Sequence, residues 1–276
     1  MKVEMLNGGS FTSSAAIWRR DEDPERQARF PIPAYLIETE TERILVDTGL
    51  HPEAAADAAS HYGGIDALAI FKLELDAAID RQLDLSTLTK VVLTHLHFDH
   101  AGGLALLPET VPVFLQRREW EAASDSAAIA KNFYLPLDYA GVADRVVLVN
   151  GDHDLLGDGS IELLWTPGHT PGHQSVRVGD GLVIGGDVTH FAAGLDDHRF
   201  PVFADDFDAQ KSSAERLQAL RDGGLVVLPG HDPDVLRLGP VTFDSRAMRL
   251  QVASTARRST ASSRIVTETR DGTEGR

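Results

Sequence analysis

The feature that most constrains this chain is a stretch with three histidines and one aspartate in six residues, His95-Leu-His-Phe-Asp-His100. It follows the apolar run 91–93, which predicts a buried strand. Because side chains alternate along an extended backbone, His95 and His97 are expected to project to one side and converge on one point. The glycines that follow let the backbone turn close by, with Asp99 and His100 directed at a second point. This pattern predicts a site for two metal ions.

The residue types indicate a metal more firmly than they indicate which metal. Neutral imidazole and carboxylate are ligands that zinc takes, and both also suit iron, manganese and cobalt. A purely structural zinc site usually includes cysteine among its four ligands, and this chain contains no cysteine. We therefore expect two divalent cations, with zinc as the first candidate. The lack of cysteine also excludes disulfides and thiolate nucleophiles.

Three further apolar segments, 161–165, 182–184 and 225–228, end in the same way, with a histidine or an aspartate at a turn rich in glycine and proline. The residues at these ends are His169, Asp187 and His231. Core packing alone does not explain four strands that each end in a metal-ligating residue type. We expect these ends to supply the ligands that the first stretch lacks.

Taken together, these residues resemble those of the metallo-β-lactamase superfamily, and the run Thr-His-Leu-His-Phe-Asp-His-Ala-Gly-Gly from residue 94 to 103 is similar to that of its N-acyl-homoserine lactonase branch. The resemblance covers about residues 2–244. It implies an α/β class fold in which two β-sheets pack face to face with helices outside, an αββα sandwich. The ligands that it implies are His95, His97 and His169 for one metal, Asp99, His100 and His231 for the other, and Asp187 as the bridge between them.

Two cations that share a hydroxide can attack an ester-like carbon while one of them polarises the carbonyl, so no protein nucleophile is needed. Asp99, beside the bridging position, is the expected proton carrier. With the resemblance, this chemistry predicts the opening of a lactone ring, with N-acyl-homoserine lactones as the first candidate substrates. Apolar side chains are expected to shelter an acyl chain, namely Phe98, Phe71, Phe191 and Phe203.

One position departs from the resembled branch, whose lactonases commonly carry a tyrosine three residues after the bridging aspartate. Here that residue is His190, whose imidazole can donate a hydrogen bond and titrates near pH 6.5, so it is a second catalytic candidate. The alternative is a loop histidine that faces solvent. Two further residues are candidates for orienting ligands by hydrogen bonds, Asp47 and His173; the alternative for Asp47 is a turn cap.

The resemblance leaves other reactions open. A thioester or another small ester is an alternative substrate, as in relatives of glyoxalase II. Those relatives usually carry a helical C-terminal extension that binds the thiol carrier, and the Arg-containing tail here is expected to be too short and too rich in Ser and Thr to serve as one. A further alternative is a metal-binding module without enzymatic activity, or a di-iron redox module that works with a flavin partner. The di-iron version normally places a carboxylate at one of the histidine positions and has a fused flavin domain, and the sequence shows neither.

Length and charge limit the organisation and the partners. A chain of 276 residues fits one domain over 1–250, and residues 251–276, rich in Ser, Thr and Arg, are expected to be a disordered tail. Residues 245–276 hold seven Arg and three acidic residues, a net charge of +4. Because the net charge of the whole chain is −16, residues 1–244 carry a net charge of −20. Such a body repels nucleic acid. No segment has the length of a membrane span or the apolar core of a signal peptide, which predicts a cytoplasmic protein. The sequence does not decide whether the protein forms a homodimer.

Local patterns predict the elements around these residues. The segment 1–6 is a predicted strand, followed by a loop over 7–29 that contains Trp18. The remaining predicted strands are 34–38, 43–47, 111–115, 145–149 and 174–178, the predicted helices are 51–60, 73–83, 117–131 and 208–222, and a long loop is predicted over 188–206 beside Asp187.

Overall fold

The structure, a computed structural model, describes residues 1–19, 22–64 and 68–233 together with the strand Phe243–Asp244. In chain order the strands are β1 (Lys2–Ser14), β2 (Gln27–Glu38), β3 (Arg43–Val46), β4 (Lys72–Glu74), β5 (Lys90–Val92), β6 (Val113–Gln116), β7 (Val146–Val149), β8 (His153–Asp154), β9 (Ile161–Trp165), β10 (Gln174–Val178), β11 (Leu182–Ile184), β12 (Val226–Leu228) and β13 (Phe243–Asp244). The predicted tail 251–276 and the domain boundary near 250 lie outside the described residues.

The strands form two sheets. The first has the order β13-β1-β2-β3-β5-β6-β7, with β4 paired to β1, and the second has the order β12-β11-β10-β9-β8. In the first sheet β5 runs parallel to β3 and β6, and in the second β11 runs parallel to β12. Since β10 is antiparallel to both β9 and β11, β9 points in the same direction as β11. The strands that precede the candidate ligands therefore run in one direction within each sheet.

The α-helices are short except for the last one. They are α1 (Pro52–Ala56), α2 (Ala58–His61), α3 (Ile79–Gln82), α4 (Phe98–Ala101), α5 (Arg117–Ala122), α6 (Ser126–Asn132), α7 (Pro136–Tyr139), α8 (Gly194–Asp197) and α9 (Phe207–Asp222). The part of the chain that the structure describes also contains five segments of 3-10 helix, at Ala15–Ile17, Leu85–Thr87, Gly102–Leu106, Ala140–Arg145 and Gly186–Val188. Within residues 1–19, 22–64 and 68–233, none of the helices has the length and hydropathy that a membrane span requires.

Apolar side chains separate the elements into four layers. The inner core lies between the sheets, where Ile37 and Ile44 of the first sheet share one cluster with Leu163 and Val176 of the second. The outer face of the first sheet is covered by helical segments that contribute residues such as Ile79, Leu104 and Tyr139. On the outer face of the second sheet, Ala214 and Leu217 of α9 pack on Leu164, Val183 and Val227. The predicted αββα arrangement is confirmed.

The N-terminal prediction was partly wrong beyond residue 6. Strand β1 continues to Ser14 and β2 already begins at Gln27, so 11 of the 23 residues of the predicted loop over 7–29 lie in strands, and 15–19 and 22–26 lie outside them. A register shift between Asn7 and Ser10 lets β1 pair with β2 on both sides of the Gly8-Gly9 pair. Gly9 has φ +119°, a conformation open to glycine, so the two glycines form a β-bulge and do not end the strand.

The predicted helix over 73–83 was also largely wrong. Leu73 pairs with Phe11 as part of β4, and only Ile79–Gln82 is helical. The predicted helices 51–60 and 117–131 each divide in two, because Asp57 and Asp125 cap a new helix with their side chains. The helix predicted over 208–222 is confirmed as α9, although its N-cap is Asp206. The predicted loop 188–206 contains the short α8.

Candidate metal centre

Three buried histidines form the first ligand group, called here the three-histidine group: His95, His97 and His169. Nδ1 of His97 lies 3.0 Å from Nε2 of His95 and 3.0 Å from Nε2 of His169. All three residues are more than nine-tenths buried. Nitrogens at this spacing match neighbouring corners of a coordination shell with metal–nitrogen bonds of about 2.0–2.1 Å. The first group can hold one divalent cation.

A second set of donors, called here the aspartate–histidine group, consists of Asp99, His100 and His231. Oδ2 of Asp99 lies 3.4 Å from Nε2 of His231 and 3.8 Å from Nε2 of His100. Asp99 and His100 sit on α4, directly after the turn that carries His97, whereas His231 follows β12 in the other sheet. The three donors come close enough together to hold a second cation.

The carboxylate of Asp187 lies between the two groups. Its Oδ2 is 3.4 Å from Nε2 of His169 and 3.3 Å from Nε2 of His231, and its Oδ1 is 3.5 Å from Nε2 of His100. One side chain therefore reaches donors of both groups, which is the arrangement that a bridging ligand requires.

The second ring nitrogen of three of these histidines is held by an acceptor. Nε2 of His97 donates to the backbone carbonyl of Asn132 at 2.7 Å, and Nδ1 of His231 donates to that of Pro31 at 2.7 Å. Nδ1 of His100 donates to Oδ2 of Asp47 at 2.8 Å. Because a neutral imidazole carries one proton, each of these bonds leaves a lone pair on the nitrogen that faces the centre.

Two buried atoms test whether the residues present fit a pair of cations. Nε2 of His100 and Oδ1 of Asp187 are buried and have no hydrogen-bond partner among the described residues. A buried polar atom without a partner is costly, and each of these faces the space between the ligand groups. Imidazole and carboxylate are donors that zinc and its neighbours accept. The donor set fits two divalent cations.

The surroundings of the histidine rings set their protonation, and in the three-histidine group they favour the neutral form that binds a metal. Burial holds the pKa of His95 and of His169 well below the ordinary value, so both rings are neutral. Burial also lowers the pKa of His100, but the carboxylates of Asp187, Asp99 and Asp47 outweigh it and hold that pKa well above the ordinary value. A divalent cation would replace the proton that these carboxylates otherwise hold on the ring, so metal binding releases protons.

Asp47, predicted to orient a ligand, contacts both His100 and the start of the histidine stretch. Its Oδ1 accepts from the backbone N–H of Thr94 at 2.7 Å, and its Oδ2 accepts from the Thr94 hydroxyl at 2.9 Å. Asp47 adopts φ +57°, which is uncommon for a residue with a side chain. The turn after β3 thus holds this carboxylate directly behind His100.

His173, the other predicted orienting residue, holds the backbone of Asp187. Its Nε2 accepts from the Asp187 N–H at 3.0 Å, and its Nδ1 donates to the Thr166 carbonyl at 3.1 Å. Burial lowers the pKa of His173 to about 3, which keeps the ring neutral and able to accept. His173 contacts the bridging residue through its main chain.

Two further residues near Asp187 were not predicted. The side-chain amide of Gln210 on α9 is fully buried and donates to the carbonyls of Asp187 at 3.2 Å and Val188 at 3.1 Å. At Gly230, a Cβ atom would lie 2.1 Å from Oδ1 of Asp187. The glycine in the Pro-Gly-His turn was a signal for a close approach, whereas nothing in the sequence distinguishes Gln210 from a surface residue of its helix.

His190 lies inside the centre, so the alternative of a histidine facing solvent is wrong. Its side chain is almost fully buried, and its Nε2 lies 3.1 Å from Oδ2 of Asp187. The ring stacks on His231 with centroids 5.3 Å apart and contacts Trp18 at 4.8 Å. Both ring nitrogens lack a well-aligned hydrogen-bond partner among the described residues.

The opening to the centre lies beside His97 and His169. It is lined by these two histidines and by Lys131, Asn132, Phe133, Phe203 and Ala204. Phe133, which was not predicted, follows α6 in a left-handed conformation with φ +57° and is half exposed. Its ring lies 6.2 Å from that of Phe203.

The four predicted phenylalanines belong to one apolar cluster with Phe11, Trp18 and Phe30, but they contact different parts of the site. Phe203 lines the opening, and its ring lies 6.1 Å from that of His169. Phe71 and Phe98 contact each other at 5.8 Å, in the apolar layer beside the centre. Phe191 packs on Phe30 and lines a separate surface pocket, where the guanidinium of Arg19 lies over its ring at 4.5 Å.

Comparison with known proteins agrees with this architecture. A model of the metallo-beta-lactamase superfamily matches residues 28–231. The N-acyl homoserine lactonase AiiA of Bacillus thuringiensis subsp. kurstaki is 30% identical over 222 residues, which are 76% of this chain and 84% of that protein. The N-acyl homoserine lactonase AttM of Azorhizobium caulinodans is 27% identical over 248 residues, which are 85% of this chain and 94% of that protein.

A solved structure of an N-acyl homoserine lactone hydrolase, with the product N-hexanoyl-L-homoserine bound at its catalytic metal centre, shares the fold. The TM-score is 0.73 at 24% identity, over 86% of this chain and 95% of that one. The ligand residues predicted from the sequence all lie within the matched segment 28–231. The chain belongs to the metallo-beta-lactamase superfamily and resembles its N-acyl homoserine lactonases.

Proposed function

We propose that this protein is a hydrolase that opens the ring of N-acyl homoserine lactones at a centre of two divalent cations, with zinc as the resident metal. The observation that carries the proposal is the placement of Asp187 between two complete and buried ligand groups, the first of which lines an opening. The relatives named above are lactonases of this kind, which supports the choice of substrate. Cytoplasmic location and a homodimer stay predictions from the sequence.

In this proposal the three-histidine group would hold one cation, the aspartate–histidine group would hold the other, and Asp187 would contribute to both. Such cations would supply activation of a water molecule near neutral pH and polarisation of the ester carbonyl. The chain fixes where this happens, because the hydrogen bonds to Asn132, Asp47 and Pro31 orient the ligand rings. Burial excludes bulk water from everything except the opening.

We assign the proton transfer to Asp99. Its Oδ2 faces Nε2 of His231, which makes Oδ2 the ligating atom and leaves Oδ1 to take a proton and return it to the leaving oxygen. Asp99 is almost fully buried, so its carboxylate faces the centre with little access to bulk water.

We assign to His190 the role of hydrogen-bond donor to an oxygen of the substrate. It is the buried side chain beside Asp187 whose two ring nitrogens have no well-aligned partner in the described part of the chain. Its contacts with Trp18 and His231 hold the ring in place. In this position His190 donates a hydrogen bond to the carbonyl or to the leaving oxygen of the lactone, in place of the tyrosine of the resembled branch.

The acyl chain would leave the centre past Phe203 and Phe133, the apolar side chains at the opening. Phe98 and Phe71 contact each other and belong to the same apolar cluster as Phe203, so they would extend the shelter that the sequence predicts. Phe191 lies at a separate pocket, so we expect it to contribute less to acyl-chain binding than Phe203 does.

The test is proton release by the zinc-loaded protein on N-hexanoyl homoserine lactone, γ-butyrolactone and a glutathione thioester. We expect turnover of the acyl homoserine lactone, with loss of at least 100-fold in His97→Ala and Asp187→Asn. His153→Ala is the matched control, because His153 is an exposed histidine on β8, away from the ligand groups. Turnover of the thioester alone would contradict the lactonase assignment, and binding of two metals without any turnover would favour a non-enzymatic module.

A further inference from the structure

Glu119 is a fully buried carboxylate that the centre described above does not include. It lies on α5, a six-residue helix after β6, and its exposed fraction is 0%. Two residues later, Glu121 on the same helix is exposed to solvent. A carboxylate is costly to bury unless hydrogen bonds or charges compensate, so Glu119 requires partners inside the protein.

Those partners are three donors from two separate loops. Oε1 accepts from the backbone N–H of Leu96 at 3.0 Å. Oε2 accepts from the hydroxyl of Thr170 at 2.7 Å and from the backbone N–H of Gly172 at 2.9 Å. Each carboxylate oxygen is thereby assigned to one loop.

The two loops are the ones that carry the three-histidine group. Leu96 lies between His95 and His97, at the end of the first sheet, and Thr170 directly follows His169, at the end of the second. The carboxylate of Glu119 therefore ties together the backbones that supply all three nitrogens. No hydrogen bond in the described residues joins Glu119 to the aspartate–histidine group.

The packing around Glu119 shows that this contact has little freedom. A Cβ atom at Gly172 would lie 2.1 Å from the backbone nitrogen of Glu119, so the second loop passes directly over the first turn of α5. Leu96 is itself fully buried. With both loops packed this closely, a change in the hydrogen bonds of Glu119 has to move one of them or leave a buried N–H group without a partner.

We propose that Glu119 is a positioning residue that sets the spacing of the three-histidine group by holding its two loops together. The inference rests on the metal centre of the proposed function, but not on the substrate. It predicts that the loss of the carboxylate weakens metal binding at the three-histidine group and leaves the aspartate–histidine group nearly unchanged.

The test is zinc affinity, measured by competition with a chromophoric chelator, for Glu119→Gln in two backgrounds. In the first, Asp99→Ala with His231→Ala leaves the three-histidine group complete, together with Asp187; in the second, His97→Ala with His169→Ala leaves the aspartate–histidine group complete, together with Asp187. The amide nitrogen of glutamine cannot accept a hydrogen bond, so one of the two backbone N–H groups loses its partner. We expect affinity to fall about 10- to 100-fold in the first background and less than about 3-fold in the second.

Glu121→Gln is the matched control, since it makes the same chemical change on the exposed face of the same helix, and it should change neither affinity. Thr170→Val is the second variant, because it removes a single donor and keeps the carboxylate; we expect a smaller loss in the first background only, and this variant decides the question if Glu119→Gln does not fold. The visible absorption of cobalt(II) in the three-histidine group should change in Glu119→Gln and stay unchanged in Glu121→Gln.

The outcomes separate this inference from the proposed function. Equal zinc affinity in wild type and in folded Glu119→Gln would overturn the positioning role and leave the hydrolase proposal intact. An equal loss in both backgrounds would also overturn it, because it would show a general effect on the fold. Absence of zinc binding by the wild-type chain would overturn both proposals.

Discussion

Oδ2 of Asp47 accepts a hydrogen bond from Nδ1 of His100 at 2.8 Å, while the same carboxylate accepts hydrogen bonds from the backbone N–H and the hydroxyl of Thr94. One side chain thus fixes the tautomer of a ligand in the aspartate–histidine group and also ends the strand that leads into the three-histidine group. The positive φ of Asp47 shows that the turn is shaped to bring the carboxylate to this point.

Asp47→Asn should weaken the binding of the second cation. An asparagine at this position places an amide NH₂ against Nδ1 of His100 or against Thr94, so one hydrogen bond is lost and the ring can turn. We expect a loss of about 10- to 100-fold in metal affinity or in turnover, measured by chelator competition and by proton release. Asp180→Asn, at an exposed aspartate, is the control and should behave as wild type. Unchanged affinity and turnover in Asp47→Asn would show that His100 does not depend on this bond.

Gly230→Ala should displace the carboxylate of Asp187 by steric overlap. The added Cβ would lie 2.1 Å from Oδ1 of Asp187, far inside van der Waals contact, so Asp187 has to move. We expect at least a 10-fold loss of metal affinity with the fold retained, seen in metal content after dialysis and in circular dichroism. Gly141→Ala is the matched control, because nothing lies within 4 Å of its added Cβ. Full metal content in Gly230→Ala would mean that Asp187 can shift without loss.

His190→Phe should separate the chemical step from metal binding. Phenylalanine keeps an aromatic ring between Trp18 and His231 and removes both nitrogens. We expect kcat to fall about 100-fold while two metals stay bound, since one lost donor to a developing oxyanion has an effect of this size. The readout is kcat together with metal content for each variant, and His190→Tyr should recover part of the rate. A near-normal kcat in His190→Phe would remove His190 from the mechanism.

Asp138 provides a test of pH dependence at a carboxyl group that is not itself a predicted ligand, although the charge of Asp99 also raises its pKa. Burial raises its pKa from 3.8 to about 7, and its carboxylate accepts from the hydroxyl of Tyr62. Because the folded protein keeps a proton that the unfolded chain releases near pH 4, the contribution of this group to stability is complete below pH 4 and is lost as the pH rises through 7.

Asp138→Asn has no such titration, and its amide oxygen can still accept from Tyr62. Between pH 4 and pH 8, the free energy of unfolding of wild type should therefore fall relative to Asp138→Asn, by on the order of a few kcal/mol. The measurement is denaturant unfolding of both proteins at each pH after removal of metal, so that metal binding does not contribute to the difference. A difference that stays constant with pH would show that the pKa of Asp138 is ordinary.

The ligand residues could be predicted from the sequence because their signal is local. Each lies just beyond an apolar strand, in a turn with glycine or proline, and strands that run in one direction bring such turns to one edge of a sheet. The strands 161–165, 174–178 and 182–184 were predicted with the bounds that the structure has. For the same reason, the glycine of the turn at Gly230 indicates a close approach to the site, because the turn directly precedes a predicted ligand.

The remaining errors concern contacts between distant segments. Gly8-Gly9 suggested the end of a strand, but pairing with β2 continues the strand through a bulge. Leu73 and Leu75 fit a helical pattern equally well, and only the pairing of β4 with β1 decides for a strand. Glu119 and Glu121 look alike in the sequence, and the burial of the first depends on a loop some fifty residues away. Tertiary contacts of this kind outweigh local propensity.

The division of the ligands between the two sheets has a consequence for the order in which this protein matures. A nascent chain that has reached residue 160 carries His95, His97, Asp99 and His100, but the ligands His169, Asp187 and His231 have not yet been made. Neither group is complete at that stage, and an ion that arrives early finds only partial and exchangeable coordination. We therefore expect capture of the cations to follow the docking of the second sheet, so that the metal supply of the cell acts on a chain that is already folded.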